Sequence, residues 1–258
     1  YLAALQRFGQ SVDWVPLASI PAVFEAVNRG DVDYGLVPLE NSTDGRIVDT
    51  LDMFTRLPVR MCGEVPLRIH HHVLAKCSWS EITQVYSKTQ ALSQCREWLS
   101  KHLSSVQVIP ISSTSGAAQL ASDKQGVAAI ASREAGVHFG LDVLAESIQD
   151  NQANLTRFAV IGDEPPPRTG KDKTALMFQV PHHPGALADA LTIFKKNKLN
   201  LTWIESFPEP GAGDGYLFFT EFKGFQTDAP VKRALESLEK KAIRLEVLGS
   251  YPTTEPVE

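Results

Sequence analysis

The sequence predicts an α/β protein in two parts: a larger domain of alternating strands and helices, followed by a smaller ferredoxin-like module. In the first part, apolar runs of strand length alternate with helical patterns, which indicates βαβ units. A charged segment at 163–173, DEPPPRTGKDK, then holds three consecutive prolines. Proline lacks a backbone donor and disfavours a helix, so this segment predicts an exposed linker. After it, the order of elements changes to βαββαβ.

The larger domain is expected to cover residues 1–162. Helices are predicted where apolar residues recur three and four positions apart, at 20–27, 47–54, 92–103 and 116–121. Ser19 and Gly30 supply a cap and a stop for the first of these helices. Strands are predicted from apolar runs, at 33–39, 64–69, 71–75, 106–111, 126–131 and 157–162. The alternation predicts a largely parallel sheet, and such sheets bind ligands at the carboxyl ends of their strands.

The smaller module is expected to cover residues 174–258 and to contain an antiparallel sheet. Its predicted strands are TALMFQVP, LTWIESF, YLFFTEF and IRLEVLGSYP. One helix begins after Pro184-Gly185, and VKRALESLEKK forms the other. The segment PEPGAGDG at 208–215 predicts a turn between the two middle strands.

The composition excludes several classes of protein. Of the 258 residues, 43% are hydrophobic and 21% are charged, which is ordinary for a globular protein and unlike a disordered chain. The net charge of −5 argues against a nucleic-acid-binding surface. No apolar run has the length of a membrane span. The three cysteines lack CxxC spacing and indicate a reducing compartment, so we expect a cytoplasmic protein.

Polar residues interrupt the apolar pattern at two predicted strand-to-helix junctions. They are Asn41, Ser42 and Thr43 at the first junction and Ser113, Thr114 and Ser115 at the second. A helix start exposes free backbone amides, which suit a carboxylate or phosphate. The same residue types are preferred helix caps, so capping is the alternative interpretation. Two such junctions in one domain favour a small anionic ligand held between two lobes.

Two further segments offer polar groups to such a ligand. Thr156 and Arg157 stand at the start of an apolar run, with Phe158 next to them. A threonine hydroxyl can donate a hydrogen bond, and arginine suits bidentate binding of a carboxylate. Gln90 and Gln94 are four residues apart and so share one helix face. The alternatives are ordinary backbone contacts for the first pair and a solvated helix face for the second.

Three adjacent histidines, His70, His71 and His72, do not indicate a metal site. In the predicted strand they alternate between two faces and so do not converge on one ion. The sequence contains no HExxH, GxGxxG or GxxxxGK[ST] motif. We therefore expect no metal and no nucleotide cofactor.

Together these segments resemble prephenate dehydratase with a C-terminal ACT regulatory domain. The similar segments are VPLENSTDGRIVDTLD, SKTQALSQC, SSTSGAAQLAS, AAIASREAGVHFGLDVL and NLTRFAVIG, in the family's order. In the smaller module, HPGALADAL and NLTWIESFP resemble the two ACT segments that bind phenylalanine. The sequence departs from the family twice. The opening segment of the type GPxGT[FY]S is absent, so the first strand is expected to be missing, and Phe207 replaces the arginine of the ESRP motif.

The resemblance implies a two-lobed catalytic domain like that of periplasmic binding proteins, with one lobe at about 1–70 and 153–162 and the other at about 71–152. It implies the decarboxylative dehydration of prephenate to phenylpyruvate, a step of phenylalanine biosynthesis that needs no cofactor. It places Thr156 at the departing hydroxyl as the catalytic group. The residues implied for substrate binding are Asn41, Ser42, Thr43, Gln90, Gln94, Ser113, Thr114, Ser115, Arg157 and Phe158.

The resemblance also implies feedback inhibition by phenylalanine. ACT modules usually pair side by side, so a homodimer or homotetramer is expected, with the effector at a subunit interface. The residues implied for the effector are Gly185, Ala186, Leu187, Glu205 and Ser206. Two alternatives remain open on the sequence: an arogenate or cyclohexadienyl dehydratase, and a non-catalytic protein that binds small anions.

Overall fold

The computed structural model describes residues 2–43, 45–208 and 215–257. Contacts within the chain divide it into two units. The first combines the residues up to Leu67 with Thr156–Val257, and the second is Arg68–Leu155. Asp44 of the first polar cluster and residues 209–214 of the predicted turn lie outside the described residues. Among those that are described, no helix combines the length and the apolar character needed to cross a membrane.

The chain passes through the first unit, then the second, and then returns to the first. The elements of the first pass are α1 (Leu2–Phe8), α2 (Ile20–Arg29), β1 (Tyr34–Asn41), β2 (Gly45–Arg46), α3 (Val48–Arg56) and β3 (Arg60–Arg68). Those of the second unit are β4 (His72–Ala75), a 3₁₀ turn (Trp79–Glu81), β5 (Gln84–Lys88), α4 (Thr89–Gln94), α5 (Arg96–His102), β6 (Gln107–Ile111), α6 (Thr114–Asp123), β7 (Val127–Ala131), α7 (Arg133–Phe139) and β8 (Asp142–Ala145). The return comprises β9 (Leu155–Gly162), β10 (Asp172–Gln179), α8 (Ala186–Lys196), β11 (Leu201–Pro208), β12 (Tyr216–Lys223), α9 (Ala229–Glu239) and β13 (Arg244–Pro252).

Local signals account for the ends of α2 and for a break in the third predicted helix. The Ser19 side chain accepts a hydrogen bond from the Ala22 amide at 3.3 Å, and Gly30 ends α2 with a φ of 72°. The helix predicted at 92–103 is instead two helices, α4 and α5. At Cys95, where they meet, the backbone leaves the helical region. The apolar spacing at 92–103 therefore continues across the break at Cys95, so the sequence pattern does not reveal that break.

The prediction of a largely parallel sheet is wrong, because both sheets outside the C-terminal module are mixed or antiparallel. In the order β2-β1-β9-β3, strand β1 runs antiparallel to β2 and β9. In the order β6-β5-β7-β4-β8, strand β5 is parallel to β6 and β7, while β4 is antiparallel to β7 and β8. Alternating elements report the connections between strands. They do not report which strands become neighbours after the chain has crossed between units.

The C-terminal module has the predicted βαββαβ order, with an antiparallel sheet β11-β12-β10-β13, so the ferredoxin-like prediction is confirmed. Strand β10 begins at Asp172, two residues before its predicted start. The carboxylate of Asp172 is buried and accepts hydrogen bonds from the Thr169 and Gly170 amides, which anchors the end of the predicted linker.

Both faces of β10, a central strand of the module's sheet, are buried within the first unit. Ala175 and Met177 belong to an apolar cluster that also contains Ala159 and Ile161 of β9. The alternate residues of β10, such as Phe178, belong to a second cluster with α8 and α9. This arrangement explains why β10 reads as a continuous apolar run instead of an alternating one. The strand that carries Thr156 therefore shares its core with the C-terminal module.

Candidate functional site

Thr156 lies in β9 directly opposite Asn41 of β1, and the Asn41 Nδ2 atom donates a hydrogen bond to the Thr156 Oγ1 atom at 2.8 Å. A β-bulge produces this pairing. Pro38 pairs with Phe158, but Glu40 pairs with Arg157, so Leu39 is an extra residue in β1. Without the extra residue, Glu40 would stand opposite Thr156.

Contacts with the start of α3 hold the bulge. The carbonyl of Leu39 accepts a hydrogen bond from the Ile47 amide at 3.0 Å, and the carbonyl of Pro38 accepts one from the Thr50 hydroxyl at 2.6 Å. Both Leu39 and Thr50 are fully buried. The carbonyl groups of Pro38 and Leu39 at the bulge therefore both have hydrogen-bond partners.

The orientation of the Asn41 amide determines the direction of the Thr156 hydrogen bond. Asn41 is buried, and its Oδ1 atom accepts a hydrogen bond from the Thr43 amide at 2.8 Å. A backbone N–H is always a donor, so its partner is the amide oxygen, and the NH₂ group faces Thr156. The Thr156 oxygen is thus an acceptor toward Asn41. The Thr156 hydroxyl proton is therefore not used in the contact with Asn41.

The prediction that Asn41, Ser42 and Thr43 open a helix is wrong. Ser42 and Thr43 occupy the turn of a hairpin, in which β2 folds back on β1. Gly45 has a φ of 80°, a conformation that glycine adopts without strain, and it allows this reversal. Helix α3 begins later, at Val48, after Ile47, which makes no side-chain cap. Ser42 and Thr43 are therefore exposed residues of a hairpin turn and not residues of a helix start.

The second junction has the predicted form. Ser113 caps α6, and its hydroxyl accepts a hydrogen bond from the Gly116 amide at 3.0 Å. Thr114 and Ser115 form the first turn of the helix, and Ser115 is exposed. The capping interpretation of Ser113 is confirmed, and the binding of a ligand by this junction remains a prediction.

Gln94 lies in a buried polar network of the second unit, so a solvated helix face is the wrong interpretation for it. Its Oε1 atom lies 2.9 Å from His71 Nε2 and accepts a hydrogen bond from Asn154 Nδ2 at 3.0 Å. All three residues are buried, whereas Gln90 is half-exposed. The histidine and Asn154 were not predicted as part of a site.

The three histidines lie at the entry to β4. Strand β4 begins at His72, so His70 and His71 precede the strand in which they were predicted. Burial lowers the pKa of His71, against the opposing effect of its hydrogen bond to Gln94. Burial likewise lowers the pKa of His72, with a further contribution from Arg133. In the described part of the chain, no three side chains of histidine, cysteine, aspartate or glutamate are grouped to hold a metal.

Arg157, predicted to contact the substrate, is instead held by carboxylates within the first unit. Its Nη1 atom lies 3.2 Å from Glu64 and also pairs with Glu221, and its Nη2 atom lies 3.2 Å from Glu40. Its guanidinium carbon lies 5.3 Å from the ring of Trp203. The prediction failed because consecutive strand residues face opposite sides, which places Arg157 on the face away from Thr156.

Two further side chains complete what we call the Arg157 cluster: Arg157, Glu40, Glu64, Lys173, Glu221 and Tyr251. Lys173 donates to Glu64 at 2.8 Å, and the Tyr251 hydroxyl donates to Glu221 Oε1 at 2.6 Å. Burial alone would lower the pKa of Arg157, but Glu221, together with Tyr251 and Glu64, raises that pKa overall, so Arg157 is firmly cationic. Burial raises the pKa of Tyr251 well above its usual value, so its hydroxyl stays protonated as a donor.

Residues 1–166 match the family model described as prephenate dehydratase. The chain belongs to the prephenate dehydratase family. It is 42% identical over 252 residues to the bifunctional chorismate mutase/prephenate dehydratase of Stutzerimonas stutzeri, covering 97% of this chain and 69% of that relative. Among solved structures, it is 33% identical to the prephenate dehydratase of Arthrobacter aurescens in complex with L-Phe, with a TM-score of 0.84 over 93% of this chain and 81% of the other.

A second solved structure, described as the quorum-quenching acylase GqqA, is 27% identical, with a TM-score of 0.87 over 98% of this chain and 93% of the other. The likeness to the Arthrobacter dehydratase confirms the predicted fold class, a two-part α/β catalytic domain with a ferredoxin-like module. Because the relatives are named for prephenate, neither the arogenate alternative nor the non-catalytic one is favoured.

The residues expected to bind the effector lie at two places in the module. Gly185 precedes α8 with a φ of 88°, and Ala186 and Leu187 form the first turn of that helix. Glu205 and Ser206 lie in β11, which is an edge strand of its sheet. Glu205 is already paired, because Arg46 of β2 donates to its Oε2 atom at 2.9 Å. The arginine that pairs with this glutamate thus comes from outside the module.

Phe207, which departs from the family's ESRP motif, is a core residue. It is 7% exposed and belongs to the apolar cluster shared with β9. Its ring lies 5.4 Å from that of Phe219 in the neighbouring strand. An arginine with the same side-chain direction would be placed in this apolar cluster, so the aromatic residue fits the packing observed here.

Proposed function

We propose that the chain converts prephenate to phenylpyruvate, water and carbon dioxide, with Thr156 as the group that donates a proton to the departing hydroxyl. The observation that carries the proposal is the direction of the Asn41–Thr156 hydrogen bond. Asn41 donates to the Thr156 oxygen, so the threonine proton is directed toward a ligand. A threonine hydroxyl is a weak acid, and donation from Asn41 stabilises its oxygen as the proton leaves.

The reaction needs one proton and no redox agent. The ring carboxylate leaves as carbon dioxide and its bonding electrons enter the ring, while the carbon–oxygen bond to the ring hydroxyl breaks. The hydroxyl takes a proton from Thr156 and leaves as water, and Thr156 regains a proton from solvent. Formation of the aromatic ring supplies the driving force. General acid assistance of this kind is typically worth about 10²–10⁴-fold in rate.

The test compares Thr156→Ala with Thr156→Ser, followed by the absorbance of phenylpyruvate. We expect kcat to fall about 10²–10⁴-fold in Thr156→Ala, since the donor is lost, and to remain within about tenfold of the parent in Thr156→Ser. Circular dichroism establishes that both variants are folded. Near-parental turnover by Thr156→Ala contradicts the assignment.

Binding of the substrate is proposed for groups in each unit separately. In the first unit these are the hairpin residues Ser42 and Thr43, and Phe158, which lies on the Thr156 side of β9. In the second unit they are Gln90, Gln94, Thr114, Ser115 and the Ser113 junction. Alanine substitutions are expected to raise KM for prephenate more than they lower kcat. Specificity constants for prephenate and arogenate, measured on one preparation, test the choice of substrate.

We further propose that the C-terminal module is an ACT module that binds phenylalanine and inhibits the enzyme. Support comes from its ferredoxin-like fold and from the related Arthrobacter enzyme, which was solved in complex with L-Phe. Glu205 and Ser206 of β11, with Gly185, Ala186 and Leu187, are the proposed contacts. Isothermal calorimetry with phenylalanine tests this directly. Absence of heat and of inhibition at millimolar phenylalanine contradicts it.

The edge position of β11 supports pairing of two copies side by side, so we propose a homodimer or homotetramer. Light scattering during gel filtration gives the number of copies. The free thiols of Cys62, Cys77 and Cys95 support a reducing, cytoplasmic location. Fractionation of cells that produce the protein tests that location.

A further inference from the structure

The Arg157 cluster lies on the opposite face of β9 from Thr156. The two residues are neighbours in the strand, and their cross-strand partners, Glu40 and Asn41, are neighbours in β1. Arg157 pairs with Glu40 immediately beyond the bulge that brings Asn41 opposite Thr156. A displacement of Arg157 therefore moves Thr156 relative to Asn41.

Three members of the cluster come from the C-terminal module, and the first is Lys173 of β10, which pairs with Glu64. Glu221 in β12 is 1% exposed, and Tyr251 in β13 is completely buried. Each Glu221 oxygen has a partner: Oε2 pairs with Arg157, and Oε1 accepts the Tyr251 hydroxyl. Tyr251 thus orients Glu221, and Glu221 holds Arg157 from the face opposite the active site. The buried ion pair and the buried hydrogen bond of Glu221 together restrict its carboxylate to one geometry. Within the described part of the chain, Arg157 forms its hydrogen bonds through Nη1, whereas its Nε and Nη2 atoms have none.

We propose that Glu221 and Tyr251 are positioning residues for the dehydration, through which the C-terminal module sets the Thr156 hydroxyl against Asn41. Neither side chain touches the substrate, and both act through Arg157 and β9. The inference rests on the proposed role of Thr156. It gives the module a part in basal catalysis, in addition to the effector binding proposed above.

The primary test is Tyr251→Phe in the full chain, which removes one hydroxyl and leaves the aromatic packing intact. We expect kcat to fall about tenfold, the scale of one hydrogen bond to a charged group, with KM for prephenate unchanged. The matched control is Ser250→Ala in the same strand. Ser250 is buried, its Oγ atom lies 2.8 Å from Thr174 Oγ1, and it is not part of the Arg157 cluster. This variant is expected to keep kcat within about twofold of the parent.

A double-mutant cycle separates positioning from general destabilisation. Once Thr156 is alanine, no hydroxyl remains to be positioned, so adding Tyr251→Phe should not lower kcat further. The inference is overturned if the losses in kcat caused by Thr156→Ala and Tyr251→Phe multiply in the double variant. It is also overturned if Ser250→Ala loses as much kcat as Tyr251→Phe, or if Tyr251→Phe keeps the kcat of the parent. If Tyr251→Phe does not fold, Glu221→Gln is judged by the same criteria.

The outcomes also separate this inference from the proposed function. If the parent has no prephenate turnover, or if Thr156→Ala retains it, the proposed function itself fails. If turnover depends on Thr156 but not on Tyr251 or Glu221, only the positioning role fails.

Discussion

Arg46 of β2 donates a hydrogen bond to Glu205 of β11, with 2.9 Å between its Nη1 atom and the Oε2 atom of the carboxylate. Arg46 stands opposite Glu40 in the hairpin that follows Asn41. Glu205 is one of the proposed effector residues. A partly exposed ion pair therefore joins the proposed active-site hairpin to the proposed effector site.

We expect Arg46→Ala to strengthen the binding of phenylalanine. The ammonium group of the effector must displace Arg46 before it reaches the Glu205 carboxylate. Exposed ion pairs are worth about 0.2–1 kcal/mol, so Kd should fall about 1.4- to fivefold. Isothermal calorimetry measures the change. Arg56→Ala, which removes a different surface pair with Asp52, is the control. Weaker binding in Arg46→Ala but not in Arg56→Ala contradicts the displacement.

We expect Asn41→Asp to be at least as damaging to turnover as Asn41→Ala, although it preserves the shape of the side chain. An aspartate at this position accepts the Thr156 proton, so it holds that proton away from the substrate. It also places a negative charge beside an oxygen that becomes more negative in the reaction. We expect kcat to fall at least about tenfold in both variants. A higher kcat for Asn41→Asp than for Asn41→Ala speaks against the assigned direction of the hydrogen bond.

We expect the protein to lose stability as the pH falls below about 6.5, in part through His71. Burial lowers the pKa of His71 in the folded state, so protons bind this histidine more readily in the unfolded state. The contribution of His71 to stability is complete when the pH is above the pKa that this histidine has in the unfolded chain. It is lost as the pH falls from there through the lower pKa that His71 has in the folded protein. Urea unfolding at pH 7.5 and 5.5 measures the loss, which should be smaller in His71→Asn.

The control for this measurement is Ser100→Ala, because Ser100 is an exposed residue of α5 and the substitution removes no titratable group. This variant should keep the pH dependence of the parent. His72 is also buried with a lowered pKa, so His71→Asn is expected to reduce the dependence without abolishing it. If the free energy of unfolding falls between pH 7.5 and pH 5.5 by the same amount in His71→Asn as in the parent, His71 makes no such contribution.

We expect Phe207→Arg, which restores the family's motif, to destabilise the protein by more than about 3 kcal/mol. The substitution places an unpaired guanidinium among the apolar residues of the shared core. Phe207→Leu, which keeps the site apolar, should cost less, about 1–2 kcal/mol. Chemical denaturation of both variants gives the comparison. A smaller loss in Phe207→Arg than in Phe207→Leu shows that the arginine side chain leaves the core.

Much of the secondary structure follows from local patterns in the chain. Ser19 and Gly30 mark the ends of α2, and the βαββαβ order of the module is read directly from its apolar runs. These features depend on residues close together in sequence, and local backbone preferences and hydrophobic periodicity report them. The resemblance of the NLTRFAVIG segment likewise predicts Thr156 as the catalytic group without coordinates.

The tertiary structure decided the relations between distant residues. The extra residue Leu39, which places Asn41 opposite Thr156, has no local signature, because a bulge depends on which strand lies alongside. The environment of Arg157 also depends on three other strands, since its carboxylate partners belong to β1, β3 and β12. The alternation of side chains along a strand predicts that Arg157 and Thr156 face opposite sides. Only the packing of the other strands shows that Arg157 meets buried carboxylates and that Thr156 meets Asn41.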